Sequence, residues 1–258
     1  MNASFVIRVV CVFALTAILV AGSVPTAALA ADAVPNVAPF DPVVFGDLAA
    51  KSVQWMIAKP TGVSPLLDDT GQHCAQGQSG SIWFLAPPIW AHGPVTRTCP
   101  VLAGTRFFFP VFDCGYIGYQ TDPNDTPAFA RNSAHTCFET DTAGVTLSAK
   151  IDNVAFTTQE LRAGYRVSAL TSTTPVFAVT VPNDNYIKAV LDPSFNARVL
   201  CSPAGVCYPT ATDGVYLLTD PLTPGEQTIQ YSAPGWVEVT YHIVAFELVL
   251  YLPQVRRG

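Results

Sequence analysis

Val237-Glu-Val-Thr-Tyr-His-Ile243 places Val237, Val239, Tyr241 and Ile243 on one side of an extended chain, and Glu238, Thr240 and His242 on the other. This is the two-residue period of a strand with one face in a core and one in water. Beyond Ile243 the run becomes almost wholly apolar to Leu252, which requires cover on both faces or a bulge that exchanges them. Just upstream, Leu217-Leu-Thr-Asp-Pro-Leu-Thr-Pro-Gly-Glu-Gln-Thr-Ile-Gln-Tyr231 reads as a strand running into Leu222, a turn at Pro224-Gly225 and a new strand from Thr228. A Leu-x-Pro-Gly corner of this kind serves Greek-key folds where the chain passes from one sheet to the other.

Working towards the N-terminus, further segments rich in Val, Ile, Phe, Tyr and Thr read as strands. They are 81–85, 106–112, 145–152, 165–168, 176–181 and 215–218. Turn chemistry at Asp122-Pro-Asn-Asp125, Pro182-Asn-Asp-Asn185 and Ala211-Thr-Asp-Gly214 separates them. Short strands at regular spacing, without the crossover helices of a parallel sheet, predict a mainly β protein. The expected form is an antiparallel β-sandwich, jelly-roll or Ig-like Greek key. One helix is expected, over about 42–58. Asp41 is a good N-cap and Pro42 suits the first helical position. Val44, Phe45, Leu48, Ser52, Val53, Trp55 and Met56 then recur at helical spacing before Lys59-Pro60 ends the pattern. Trp55 and Met56 are read as packing this helix on the core.

Residues 1–30 begin with Arg8 as their sole charge, continue apolar from Val9 to Val20, and finish Ala28-Leu-Ala30. That is the pattern of a secretory signal peptide cut near Ala30, and its apolar core is shorter than the about 20 residues a membrane span needs. Cys11 would leave with it. Residues 31–40 read as an extended linker and 41–258 as a single domain. No later run reads as a membrane span, since Glu238, His242 and Glu247 interrupt the most apolar one. The protein is therefore expected to be secreted or periplasmic. Its remaining cysteines are Cys74, Cys99, Cys114, Cys137, Cys201 and Cys207. An even set in an oxidising compartment reads as disulfides, and close C-x-x-C pairs typical of zinc are missing. Cys201 and Cys207 flank Ser-Pro-Ala-Gly-Val, a turn that brings them together. The connectivity of the other four stays open, with Cys74–Cys99 and Cys114–Cys137 as one arrangement.

The 258 residues are 50% hydrophobic, only 12% charged, and carry a net charge of −6. High hydrophobicity excludes intrinsic disorder, and acidity argues against a nucleic-acid partner. Several pieces of the chain also resemble a group of uncharacterised exported bacterial proteins. The pieces are Trp55, Cys74 with Gly77-Gln78, Trp83-Phe-Leu85, Arg97-Thr-Cys99 with Gly104, Phe108-Phe-Pro110 and Pro221-Leu-Thr-Pro-Gly225. They span most of 45–245. The resemblance implies export and a β-rich fold; it brings no assigned activity and hence no catalytic residues. Val101-Leu-Ala-Gly104 departs from the group's Pro-Ala-Gly spacing after the cysteine.

Chemistry is expected in the polar stretch between residues 68 and 141, where His73, His92, Asp113 and His135 form the candidate cluster. Three histidines and a carboxylate brought to one pocket would suit a transition metal or a hydrolytic site, although no His-x-His or His-x-x-x-His spacing occurs. The metal content is left unassigned and no cofactor is expected. Ser79, in Gly77-Gln-Ser-Gly80, lacks the G-x-S-x-G spacing of a nucleophile elbow. Asp122, Asn124 and Asp125 offer oxygen ligands for calcium, but an Asx-turn accounts for them equally. Trp90, Tyr116 and Tyr119 sit among Gly and Pro and are the candidate exposed aromatics, a surface on which sugar rings stack. The expected function is a non-catalytic exported module of unassigned role that binds a glycan or another envelope component. The alternative is a secreted hydrolase using the 68–141 cluster.

Overall fold

The longest strand among the described residues, Val206–Leu218 (β8), organises one of two sheets. The computed structural model describes residues 37–89, 93–119, 122–191, 193–194, 196, 201 and 205–248, so the expected signal peptide lies outside the described residues. In chain order the elements are α1 (Pro42–Ile57), β1 (Ile82–Phe84), β2 (Val95–Leu102), β3 (Arg106–Ile117), α2 (Pro127–Asp141), β4 (Ser148–Ile151), β5 (Val154–Phe156), α3 (Thr158–Gly164), β6 (Arg166–Val167), β7 (Phe177–Thr180), β8, β9 (Gly225–Ala233) and β10 (Val237–Phe246). The protein is mainly β, with two mixed sheets and a few helices.

The first sheet has the order β1-β3-β8-β6, with β7 also paired to β8. The second has the order β2-β10-β9-β4-β5. Neither is purely antiparallel, which corrects that expectation: β1 runs parallel to β3, and β2 runs parallel to β10 through eight residue pairs from Val95↔Val239 to Leu102↔Phe246. Non-adjacent chain segments provide these partners, so local turn chemistry could not announce them. Two short connections pass between sheets, Ala103-Gly104-Thr105 from β2 to β3 and residues 219–224 from β8 to β9. Pro224-Gly225 therefore stands where the chain changes sheet.

The inner faces of the two sheets share one core. Phe107, Phe109 and Val111 of β3 join Ile229, Tyr231, Val239, Tyr241 and Ile243 of β9 and β10. Phe109 stacks on Tyr231 at 5.0 Å between ring centroids. The opposite face of the first sheet is covered by α1. Asp41 caps that helix by accepting hydrogen bonds from the Val43 and Val44 amides at 2.9 and 3.1 Å. Its Phe45 meets Phe108 edge-on, and Trp55 and Met56 are buried. Val44 points to solvent instead of joining that face. Val37 pairs with Thr219 and is buried, so the chain just before α1 is docked on the sheet.

Two further helices correct the expectation of a single one. Thr126 caps α2 and Pro127 opens it, yet its buried side is Ala130, Ala134, Cys137 and Phe138, too small a set to stand out as an apolar stripe. Helix α3 opens with a reciprocal capping box between Thr157 and Glu160. Strand β2 carries no regular apolar period, because its inward residues are Val95, Arg97, Cys99 and Val101, and the arginine breaks it. Ala211-Thr-Asp-Gly214 is not a turn: it lies in the middle of β8. Three disulfides close the structure, Cys74–Cys99, Cys114–Cys137 and Cys201–Cys207. Among the described residues no helix is long and apolar enough to cross a membrane.

Candidate functional site

A bulge in β3 decides what each of its residues faces. The pairing of β3 with β8 shifts between Pro110 and Phe112. Beyond that point Cys114 and Tyr116 point towards α2, where Cys114 is bonded to Cys137 and Tyr116 packs on Ala130 and Ala134. Strand alternation turns Asp113, Gly115 and Ile117 to the α1 side. There they line a cavity of about 140 Å³. Val53, Met56 and Ile57 of α1 form one wall; Leu66, Pro87, Pro88 and Ile89 form another; Tyr186, Leu191, Phe112 and Trp236 complete it. The lining is overwhelmingly apolar, and Asp113 is its charged residue among those described.

Asp113 is held by hydroxyls. Tyr216 donates to its Oδ2 at 3.0 Å and Thr212 lies 3.4 Å from the same oxygen. Tyr216 and Thr212 are themselves 2.8 Å apart. Burial pushes the Asp113 carboxyl up to about 6, against the lowering effect of these two hydrogen bonds. The same burial, with Asp113 close by, raises the Tyr186 and Tyr216 phenols, which stay protonated donors. The close approach of the strands here needs Gly214, since a Cβ at that position would meet the Asp113 Cβ at 2.6 Å.

The other members of the expected cluster lie elsewhere. His135, on α2, faces the opposite side of the first sheet, with Nδ1 3.1 Å from Asp213 Oδ2. Asp213 is fully buried, and it also accepts from Arg166 Nε at 2.7 Å and from the Ala169 amide at 2.9 Å. Arg166 in turn reaches Glu139 at 3.0 Å and lies over the Phe138 ring. Burial pushes the Asp213 carboxyl up while Arg166, Ala169 and His135 pull it down. His73 lies in the turn organised by Asp68, to which its backbone amide donates at 2.8 Å, beside the edge of β2. His92 lies outside the described residues. Asp113, His135 and His73 thus occupy three separate places.

Among the described residues, the grouping of three potential metal ligands is Cys114, Cys137 and Asp141, and its two sulfurs are bonded to each other. The loop considered for calcium directs its carboxylates at protein donors: Asp125 accepts from the Tyr116 hydroxyl and the Tyr119 amide, and Asp122 from the Asn124 amide.

The expected exposed aromatics need correcting as well. Tyr116 is 1% exposed because Asp125 and the start of α2 close over it, and Tyr119 is 7% exposed because it packs in the cluster under α1 with Val53, Trp55 and Ile117. Trp90 lies outside the described residues. The residues that form the cavity beside Asp113 were legible only in part. Trp236 and Met56 stand out as large apolar residues, whereas Tyr186, Tyr216 and Thr212 carry no local signal. Comparison with protein-family models, curated proteins and solved structures finds no match for this chain.

Proposed function

We propose that the chain is an exported, non-catalytic β-sandwich module that binds a small, largely apolar molecule, an envelope component or a compound that reaches the envelope, in the cavity between α1 and the first sheet. The sandwich reading rests on the shared core of the two sheets and on the change of sheet at Pro221–Gly225. Export rests on the leader pattern of residues 1–30 and is in keeping with three disulfides. The observation that carries the binding reading is the cavity itself. An apolar-lined space of about 140 Å³ is of the size that takes a benzene-like ring.

Two earlier expectations give way to this one. A glycan needs an open aromatic platform with polar edges, whereas Tyr116 and Tyr119 are interior and the cavity lining is apolar. A hydrolase would need Asp113, His135 and His73 around one pocket, and they are dispersed.

Gly115 provides the test. It lines the cavity from β3, and a Cβ added there would meet just the Ala211 carbonyl oxygen, at 3.9 Å. Toluene is expected to bind the wild-type protein saturably at one site, shifting NMR resonances of Ile57, Ile89 and Trp236. Gly115→Leu, which fills the space, should abolish those shifts while the fold is retained. Shifts that persist in Gly115→Leu, or a wild-type protein that takes up neither toluene nor any polar single-ring analogue of it, would remove the proposal.

A further inference from the structure

The ligand's polar group follows from the unbalanced charge at the floor of the cavity. Both hydroxyls that hold Asp113 reach Oδ2, and among the described residues no hydrogen bond is made to Oδ1. No lysine, arginine or histidine is among the described lining residues. The titratable groups that Asp113 influences are the phenols of Tyr186, Tyr216 and Tyr231, all neutral, while α1 contributes Val53, Met56 and Ile57, and the 87–89 segment two prolines and an isoleucine. An adjoining hollow shares Pro88, Ile89, Trp236 and Val237 with the cavity, and its charged residue among those described is Glu238, again an acid. One rung away, on the other face of the same strands, Asp213 shows how this fold balances a buried carboxylate when the protein does so itself: a guanidinium, an imidazole and a backbone amide converge on it.

We infer that the cavity takes a small hydrophobic amine, its ammonium against Asp113 Oδ1 and its apolar body against Val53, Ile57, Ile89 and Trp236. This rests on the binding reading above and adds the chemical class of the ligand. An uncompensated carboxylate in an apolar site is costly, and a cation brought by the ligand removes that cost, whereas a hydrocarbon or a second acid does not. The size of the cavity limits the body to about one six-membered ring or a short branched chain.

The experiment is a calorimetric and NMR titration of the intact disulfide-bonded protein at pH 7.5 with four matched probes: benzylammonium, benzyl alcohol, toluene and benzoate. The expected result is benzylammonium binding at least about ten-fold tighter than benzyl alcohol or toluene, a gap of about 1.4 kcal/mol, with benzoate not bound. The preference should shrink to within about three-fold in Asp113→Asn, and in the wild type it should fade below pH 5 as Asp113 takes up its proton. Toluene or benzyl alcohol binding as tightly as benzylammonium would overturn the amine assignment and leave the cavity reading standing. Failure of all four probes would overturn both. The wild-type series decides the matter even if Asp113→Asn does not fold.

Discussion

Asp113 and Asp213 lie one rung apart on the paired strands β3 and β8, opposite Gly214 and Cys114, and they point to opposite faces of one sheet. Burial raises both carboxyls. Below α2, Asp213 is surrounded by Arg166, His135 and the Ala169 amide, and the Cys114–Cys137 disulfide clasps the same helix to the neighbouring strand β3. Below α1, Asp113 has two hydroxyl donors and an apolar cavity. The α2 side spends its charges on holding the fold together. On the α1 side Asp113 faces the cavity with hydroxyl donors at Oδ2 and no cation among the described lining residues. Asp213 is fully buried and met by a guanidinium, an imidazole and an amide, whereas Asp113 is half-buried and met by hydroxyls, so the surrounding cations distinguish the two.

The largest effect should come from unbalancing the satisfied side. Arg166→Ala strips Asp213 of its guanidinium and leaves a fully buried carboxylate with partial compensation, so about 3–4 kcal/mol of unfolding free energy should be lost, as read by urea denaturation. A loss below 1 kcal/mol would mean that the two sides do not differ in the way described. Next comes the clasp: Cys114→Ala with Cys137→Ala opens a loop whose ends are 23 residues apart and should cost about 3 kcal/mol by the same measurement.

The unbalanced side should behave in the opposite sense. The Asp113 carboxyl, near pH 6 in the fold, lies above its unfolded value of about 3.9, so between those limits the folded state holds a proton that the unfolded chain has released. Its contribution is therefore greatest below about pH 4 and is lost as pH rises through 6. Asp113→Asn should match the wild type near pH 4 and exceed it by about 2 kcal/mol at pH 7.5, measured as the difference between two stability–pH curves. A variant that is less stable than wild type at pH 7.5 would show that the ionised carboxylate is paired within the protein. Smallest is Gly115→Val, which replaces a strand glycine at the cavity wall and should stabilise by up to about 1 kcal/mol in thermal unfolding. A destabilisation would mean that the space is already occupied.

Strands with a regular apolar period were readable, and β10, β9 and α1 lie where that period and Asp41-Pro42 put them. What escaped reading has identifiable causes. In β2 a buried Arg97, bonded to the Ala86 carbonyl and the Tyr241 hydroxyl, occupies a position that pattern reading reserves for apolar residues. In α2 two of the four buried residues are alanines, and alanine is equally at home on a surface. Asp213-Gly214 has the composition of a turn, yet the glycine is there because β3 comes so close that no Cβ fits. Tyr116 and Tyr119, flanked by glycines, have the local setting of surface rings, yet α2 and Asp125 cover the first and the α1-side cluster takes in the second. Among the described residues of the expected polar cluster, Asp113 is the one that lines the cavity.

By itself the sequence determined the mainly β character, the capped helix before it and the turn that brings Cys201 to Cys207. Each of these rests on spacing or composition within a few residues of the chain. Tertiary structure alone decided that the sheets are mixed, that His135 belongs to Asp213 and not to Asp113, and that a β-bulge turns Asp113 into a cavity. Those outcomes depend on which distant segments pack together, and a carboxylate's partners are set by distances that one-dimensional spacing does not contain.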